Sequence, residues 1–327
     1  GVWDAAGGRP THQEFATDSR LTNMNGTAMN YHSMHVAGTI AALGVDALSR
    51  GMANNARINS YDWNSDISEM GTAGATAAGQ TATKLYLSNH SYGTADGWDG
   101  NTWTGTGTDQ NAYDSDFGQY SSGASSMDST AYNTPYFLSF WAAGNDRSNN
   151  PSTNSQVVIG GVTVSYNPAI HPQGDGIYRG GYETISYRST AKNILTIGAV
   201  NDAVTSSVRD LAKATIASLS STGPTDDGRI KPDLVANGVG LKSTYETSDT
   251  AYGTISGTSM ATPNACGSAT LLVDQYNRLF GSAMRSSTLK ALLIHTADDI
   301  GNPGPDYFFG WGLMNVKKAA DIIANHS

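Results

Sequence analysis

The chain has 327 residues, 39% of them hydrophobic and 14% charged, with 37 glycines and a formal net charge of −9. This is enough apolar material for a sizeable core, in two ordinary domains or one large α/β domain, and it argues against a long disordered chain. The acidic balance argues against nucleic acid as a partner, and no apolar run approaches the roughly 18 residues of a membrane span.

In chain order, GVWD at 1–4 reads as the end of a buried strand running into the AAGG turn. It is shorter than the roughly five or six residues usual for a strand, so an upstream beginning is expected. No signal peptide is present and the chain opens on Gly1, which predicts processing or trimming and the absence of a propeptide. Residues 32–43 predict a helix, 57–62 a strand, and 65–83 a second helix built of small residues. Buried strands are expected at 84–88, 136–143, 193–200 and 233–236, and helices at 259–279, 286–297 and 315–325. Strands alternating with helices predict an α/β fold of three layers, a mostly parallel sheet with helices on both faces. Two polar, Gly-rich stretches, 94–134 and 152–192, are too long for plain loops. They are expected to be insertions with short elements of their own, near a binding cleft. Loops rich in Asn, Ser, Thr, Gly and Tyr fit a secreted, bacterial protein, and Cys266, the only cysteine, excludes a disulfide within the chain.

Four stretches carry side chains suited to chemistry. In SGTSMATPNACGSATLLV (256–273), Pro263 is expected in the first turn of a helix, where its missing N–H costs nothing. Ser259 then stands where backbone N–H groups and the helix dipole stabilise an oxyanion, although a plain N-cap serine fits the same place. The G-x-S-x-G elbow is not matched, because Ala261 fills its last position. In HSMHVAGT (32–39) the histidines are three apart with Ser33 and Met34 between them, so a zinc-binding H-E-x-x-H is excluded. A histidine of near-neutral pKa suits a serine nucleophile, but spacing does not choose between His32 and His35. Asp4 and Asp62 each end a predicted strand, and Asn145 in AAGND fits an ordinary turn.

Taken together, GTSMATP, HSMHVAGT and WAAGND resemble the signature blocks of the subtilisin-like serine peptidases, the subtilases. The stretches 217–238 (ASLSSTGPTDDGRIKPDLVANG) and 309–319 (FGWGLMNVKKA) are similar to further blocks of that family. The resemblance implies a serine endopeptidase working through an acyl-enzyme, with Asp4, His32 and Ser259 as catalytic residues and His35 in a packing role. Asp, His, Ser is the subtilisin chain order. It implies Asn145 and the Ser259 N–H as the oxyanion hole, and Ser91, Tyr92, Gly93 and Gly144 as contacts to an extended polypeptide substrate. No cofactor is implied for the chemistry. Structural calcium is an open expectation, although DGWDGN (96–101) and DSD (114–116) read more simply as solvated loops. Departures from the family pattern are Ala5-Ala6 after Asp4, Ser33 and Met34 after His32, Tyr92 in the substrate segment, and Asn264 and Cys266 behind the serine. The opposing expectation is a silent scaffold of the same fold, used for binding.

Overall fold

Seven short apolar segments pair into one sheet in the computed structural model, which describes residues 1–80 and 84–326. They are β1 (Val2–Asp4), β2 (Leu21–Asn23), β3 (Ile58–Asp62), β4 (Leu87–His90), β5 (Leu138–Ala142), β6 (Leu195–Val200) and β7 (Leu234–Asn237). Their order across the sheet is β7-β6-β5-β4-β1-β3-β2, and every pairing is parallel. A parallel sheet is covered on both faces, which is why these segments read as near-continuous apolar runs.

Alternation along each strand sorts side chains between two cores. Val2, Phe140 and Ile197 join α1 (Tyr31–Ala41), α4 (Thr258–Phe280), α5 (Ser286–His295) and α6 (Val316–Asn325) in one cluster. Trp3 and Trp141 face the other way, with Met70 of α2 (Asp66–Ala73) and Ala124 and Met127 of α3 (Ser122–Asn133). The three-layer α/β fold expected from the sequence is therefore present. Among the described residues no helix is long and apolar enough to cross a membrane.

One expectation needs correction. The helix expected over 65–83 ends at Ala73, because Gly74 next bridges to Leu85 in extended backbone; positions 81–83 of that stretch lie outside the described residues. The stretch 94–134 carries an element of its own in its last third, α3, capped by the Ser121 hydroxyl. The two stretches also meet. Trp98–Asp99 and Thr102–Trp103 from the first join Gln156–Ile159 and Val162–Ser165 from the second in one four-stranded sheet around Trp98, Trp103, Val157 and Tyr166.

Packing beside that small sheet buries part of DGWDGN and DSD, while Asp99, Gly100, Asn101, Ser115 and Asp116 stay exposed, as a solvated loop would. Asp96 and Asp114 are only 4% and 6% exposed. Asp114 accepts from Gly97 N at 2.7 Å and from Asp116 N at 3.1 Å. Among the described residues no group of three His, Cys, Asp or Glu is placed to hold a metal ion.

Candidate active site

The C-terminal ends of β1, β4 and β5 open toward the start of α4, at the edge where ligands bind in open parallel sheets. Asp4 ends β1 and is 1% exposed. Its two carboxylate oxygens lie 2.8 and 3.0 Å from His32 Nδ1. Ala5 N donates to Oδ1 at 2.7 Å, and the Ser33 hydroxyl donates to the same oxygen at 3.2 Å while accepting from Ala6 N. Ser33, which in sequence is only a departure beside His32, thus ties the helix to the aspartate loop. His32 itself is set in the first turn of α1 by Asn30, whose side chain caps the His32 N–H at 2.8 Å.

The histidines separate by environment. Burial opposes a charged His32, but the Asp4 charge and hydrogen bond more than offset it, so the imidazole titrates above its ordinary value. Burial pushes His35 down to about 4, despite its hydrogen bond to the Leu241 carbonyl at 2.9 Å. His35 is therefore a neutral packing residue at physiological pH. Asp62, the other candidate carboxylate, pairs in register beside Asp4 but turns its Oδ1 to Asn64 N, away from either ring.

Ser259 is the second residue of α4, which begins at Thr258, one residue earlier than the sequence predicts. Pro263 then falls past the first turn, and its missing N–H would leave the Ser259 carbonyl without its helical donor. The Ser91 hydroxyl supplies one instead at 3.0 Å. Ser259 Oγ donates to the Ser91 carbonyl at 3.2 Å, and no hydrogen bond joins it to His32 among the described residues.

Two N–H groups at the start of α4 lie near one another. Asn145 Oδ1 accepts from both the N–H and the hydroxyl of Thr258 at 3.0 Å, which leaves its Nδ2 facing the cleft. Asn145 Nδ2, Asn145 Oδ1 and Ser259 N each lie 3.6 Å from the point where a side chain on Gly257 would begin. Ser259 N has no partner among the described residues, so two N–H donors frame one place for a negative oxygen. Gly144 packs beneath them with φ 109°, and a Cβ there would sit 2.8 Å from both Asp146 Oδ2 and Ser221 Oγ.

Ser91, Tyr92, Gly93, Gly144 and Asn145 line a recess of about 200 Å³ that opens at Ser259. Its walls include Thr94 from the first polar stretch and Ser186 and Ser189 from the second. The substrate segment is less open than its resemblance implies. The Tyr92 carbonyl already accepts from Trp141 Nε1 at 3.1 Å, and its hydroxyl donates to Asp66 at 2.6 Å. Gly93 keeps its backbone groups free among the described residues. Behind the serine, Cys266 is buried and its thiol is pushed up to about 12, while Asn264 borders a second cavity near Met52 and Arg209.

The family model described as the subtilase family matches residues 10–312 of the chain, so Asp4 lies just ahead of the matched span. The chain is 32% identical over 149 residues to the serine protease AprX of Bacillus subtilis, covering 42% of this chain and 32% of that relative. It is 30% identical over 141 residues to subtilisin DY of Bacillus licheniformis, covering 43% and 42%. A serine protease/ABC transporter B family protein, tagD, of Dictyostelium discoideum is 26% identical over 94% of this chain and 21% of its own length. The chain therefore spans less than half the length of each of these relatives.

Proposed function

The chain belongs to the subtilase family, and on that premise we propose that it is a serine endopeptidase that cleaves polypeptides through an acyl-enzyme. The names of its relatives, a serine protease and a subtilisin, support that class of reaction. The observation that carries the reading is the two-oxygen grip of Asp4 on His32 Nδ1. It sets the tautomer that leaves Nε2 as the base, and it favours the imidazolium formed when that base takes a proton.

Ser259 Oγ leaves the Ser91 carbonyl, gives its proton to His32 Nε2 and attacks the substrate carbonyl. Asn145 Nδ2 and Ser259 N hold the resulting oxyanion. His32 then passes the proton to the departing amine, and water releases the acyl group by the same steps reversed. The substrate lies extended along 91–93, with Gly93 offering the backbone groups. The bond from Ser259 Oγ to Ser91 favours a second reading, a binding scaffold whose serine is not engaged. Catalytic hydrogen bonds are often unmade before substrate arrives, which makes the enzyme the better reading. Hydrolysis of a protein substrate that disappears in both Ser259→Ala and His32→Ala is expected. A folded, unmodified protein that cleaves nothing supports the scaffold.

A further inference from the structure

The recess beside Ser259 has one carboxylate in its wall that the proposed catalytic steps do not use. Asp146 follows the oxyanion residue Asn145 and lines the recess. Its Oδ2 receives one weak hydrogen bond from Ser221 Oγ at 3.3 Å, and its Oδ1 another from Asn149 at 3.4 Å. Neighbouring Arg147 does not neutralise it, because the guanidinium turns away to the carbonyls of Ala217 and Ser218. Asp96, Asp114 and Asp116, in the loops beside the small sheet, add their fields to it or to one another. Among the described residues none of these four carboxylates makes an ion pair. Burial and the Asp96 charge push Asp146 up to about 7, as expected of an acid lacking a cation.

A recess of about 200 Å³ is smaller than the roughly 300–1,000 Å³ of a small-molecule pocket. It suits a single side chain. An apolar side chain would desolvate Asp146 further with no compensating contact, and an acidic one would be repelled. A cationic one relieves both penalties. We infer that this recess selects lysine or arginine at the substrate residue whose carbonyl Ser259 attacks, with Asp146 facing the incoming charge and Asp96 reinforcing it.

The inference rests on the endopeptidase reading, so its test has one arm that needs turnover and one that does not. In the first, peptides differing only at that residue (Arg, Lys, Phe, Leu, Glu) are compared by kcat/KM, with enzyme counted by fluorophosphonate titration. Arg and Lys are expected to lead Phe and Leu by at least about tenfold, with Asp146→Asn lowering the Arg-to-Phe ratio by about 10- to 100-fold, the range for losing one hydrogen bond to a charged group. Asp96→Asn should lower it by less. In the second, calorimetry with benzamidine, an aromatic amidinium, reads the recess without chemistry, and binding weakened by Asp146→Asn supports the inference. An active enzyme that prefers Phe or Leu overturns it, as does benzamidine binding that is absent or indifferent to both substitutions. A protein that binds benzamidine through Asp146 but takes no fluorophosphonate fails the endopeptidase reading and leaves the acidic recess standing.

Discussion

At the scale of single residues, Asp4 and His32 make a prediction with two opposite signs. Because His32 titrates above 6.5 when paired with Asp4, and only its neutral form is a base, kcat/KM should fall as pH drops through a midpoint above that value. Asp4→Asn removes both contributions that raise the imidazole, and burial alone then lowers it. The acid limb should move to lower pH even as kcat drops by about 10⁴, the loss seen when a triad aspartate becomes asparagine. A limb that stays in place in a pH-rate profile contradicts the pairing. Asn145→Ala should lower kcat by about 10² to 10³ with little change in KM, a magnitude taken from the equivalent donor of a subtilisin. Met260, beside the serine, is 1% exposed, so peroxide should inactivate slowly and in step with Met260 sulfoxide, followed by mass spectrometry. The residues of this site were legible because their blocks are short and local. Which histidine pairs with a carboxylate was not legible from spacing, since the difference lies in partners 28 and 206 positions away, Asp4 and Leu241. The role of Ser33 was hidden for the same reason.

At the scale of elements, close approaches of backbone set the site. Gly38 in α1 faces the hairpin that runs from Leu241–Thr244 into Tyr252–Ile255. A Cβ there would lie 2.3 Å from Ser243 Oγ, 2.4 Å from Thr244 Oγ1 and 3.1 Å from Thr244 N. Gly38→Ala should therefore destabilise the fold by about 1–3 kcal/mol in urea unfolding, as overpacking does. It should also shift the helix that carries His32. The long apolar strands and α4 were legible from periodicity and from Gly257 and Pro263. Helix α3 was not, because SGASSMDSTAYN buries only one large apolar side chain, Met127, beside Ala124, Asp128 and Thr130, and so lacks an apolar stripe. The four-stranded small sheet was also illegible, since its one pairing between the two stretches, Thr102 with Val158, joins segments 56 residues apart by their numbers.

At the scale of the whole molecule, a buried charge cluster ties the sheet edge to the C-terminal helices. Asp233 accepts from Lys231 Nζ at 2.7 Å and Thr196 N at 2.8 Å, and lies 3.1 Å from Lys290 Nζ of α5. Burial holds Lys231 down to about 8. Asp233→Asn would leave two cations without their counter-charge, and should cost about 3–5 kcal/mol in equilibrium unfolding. A loss below 1 kcal/mol would show that water reaches the cluster. The same sheet brings Asp4 and Ser259, near opposite ends of the sequence, to one edge. That pairing of distant blocks was legible only through the family resemblance, because no local pattern specifies which strand ends meet.

The account turns on whether Ser259 is a nucleophile activated by His32. Treating the native protein with a fluorophosphonate probe and mapping the adduct by mass spectrometry reads this directly. Labelling at Ser259 that vanishes in denatured protein and in His32→Ala is the predicted result. Native protein left unlabelled, or Ser259 labelled equally well without His32, would contradict it.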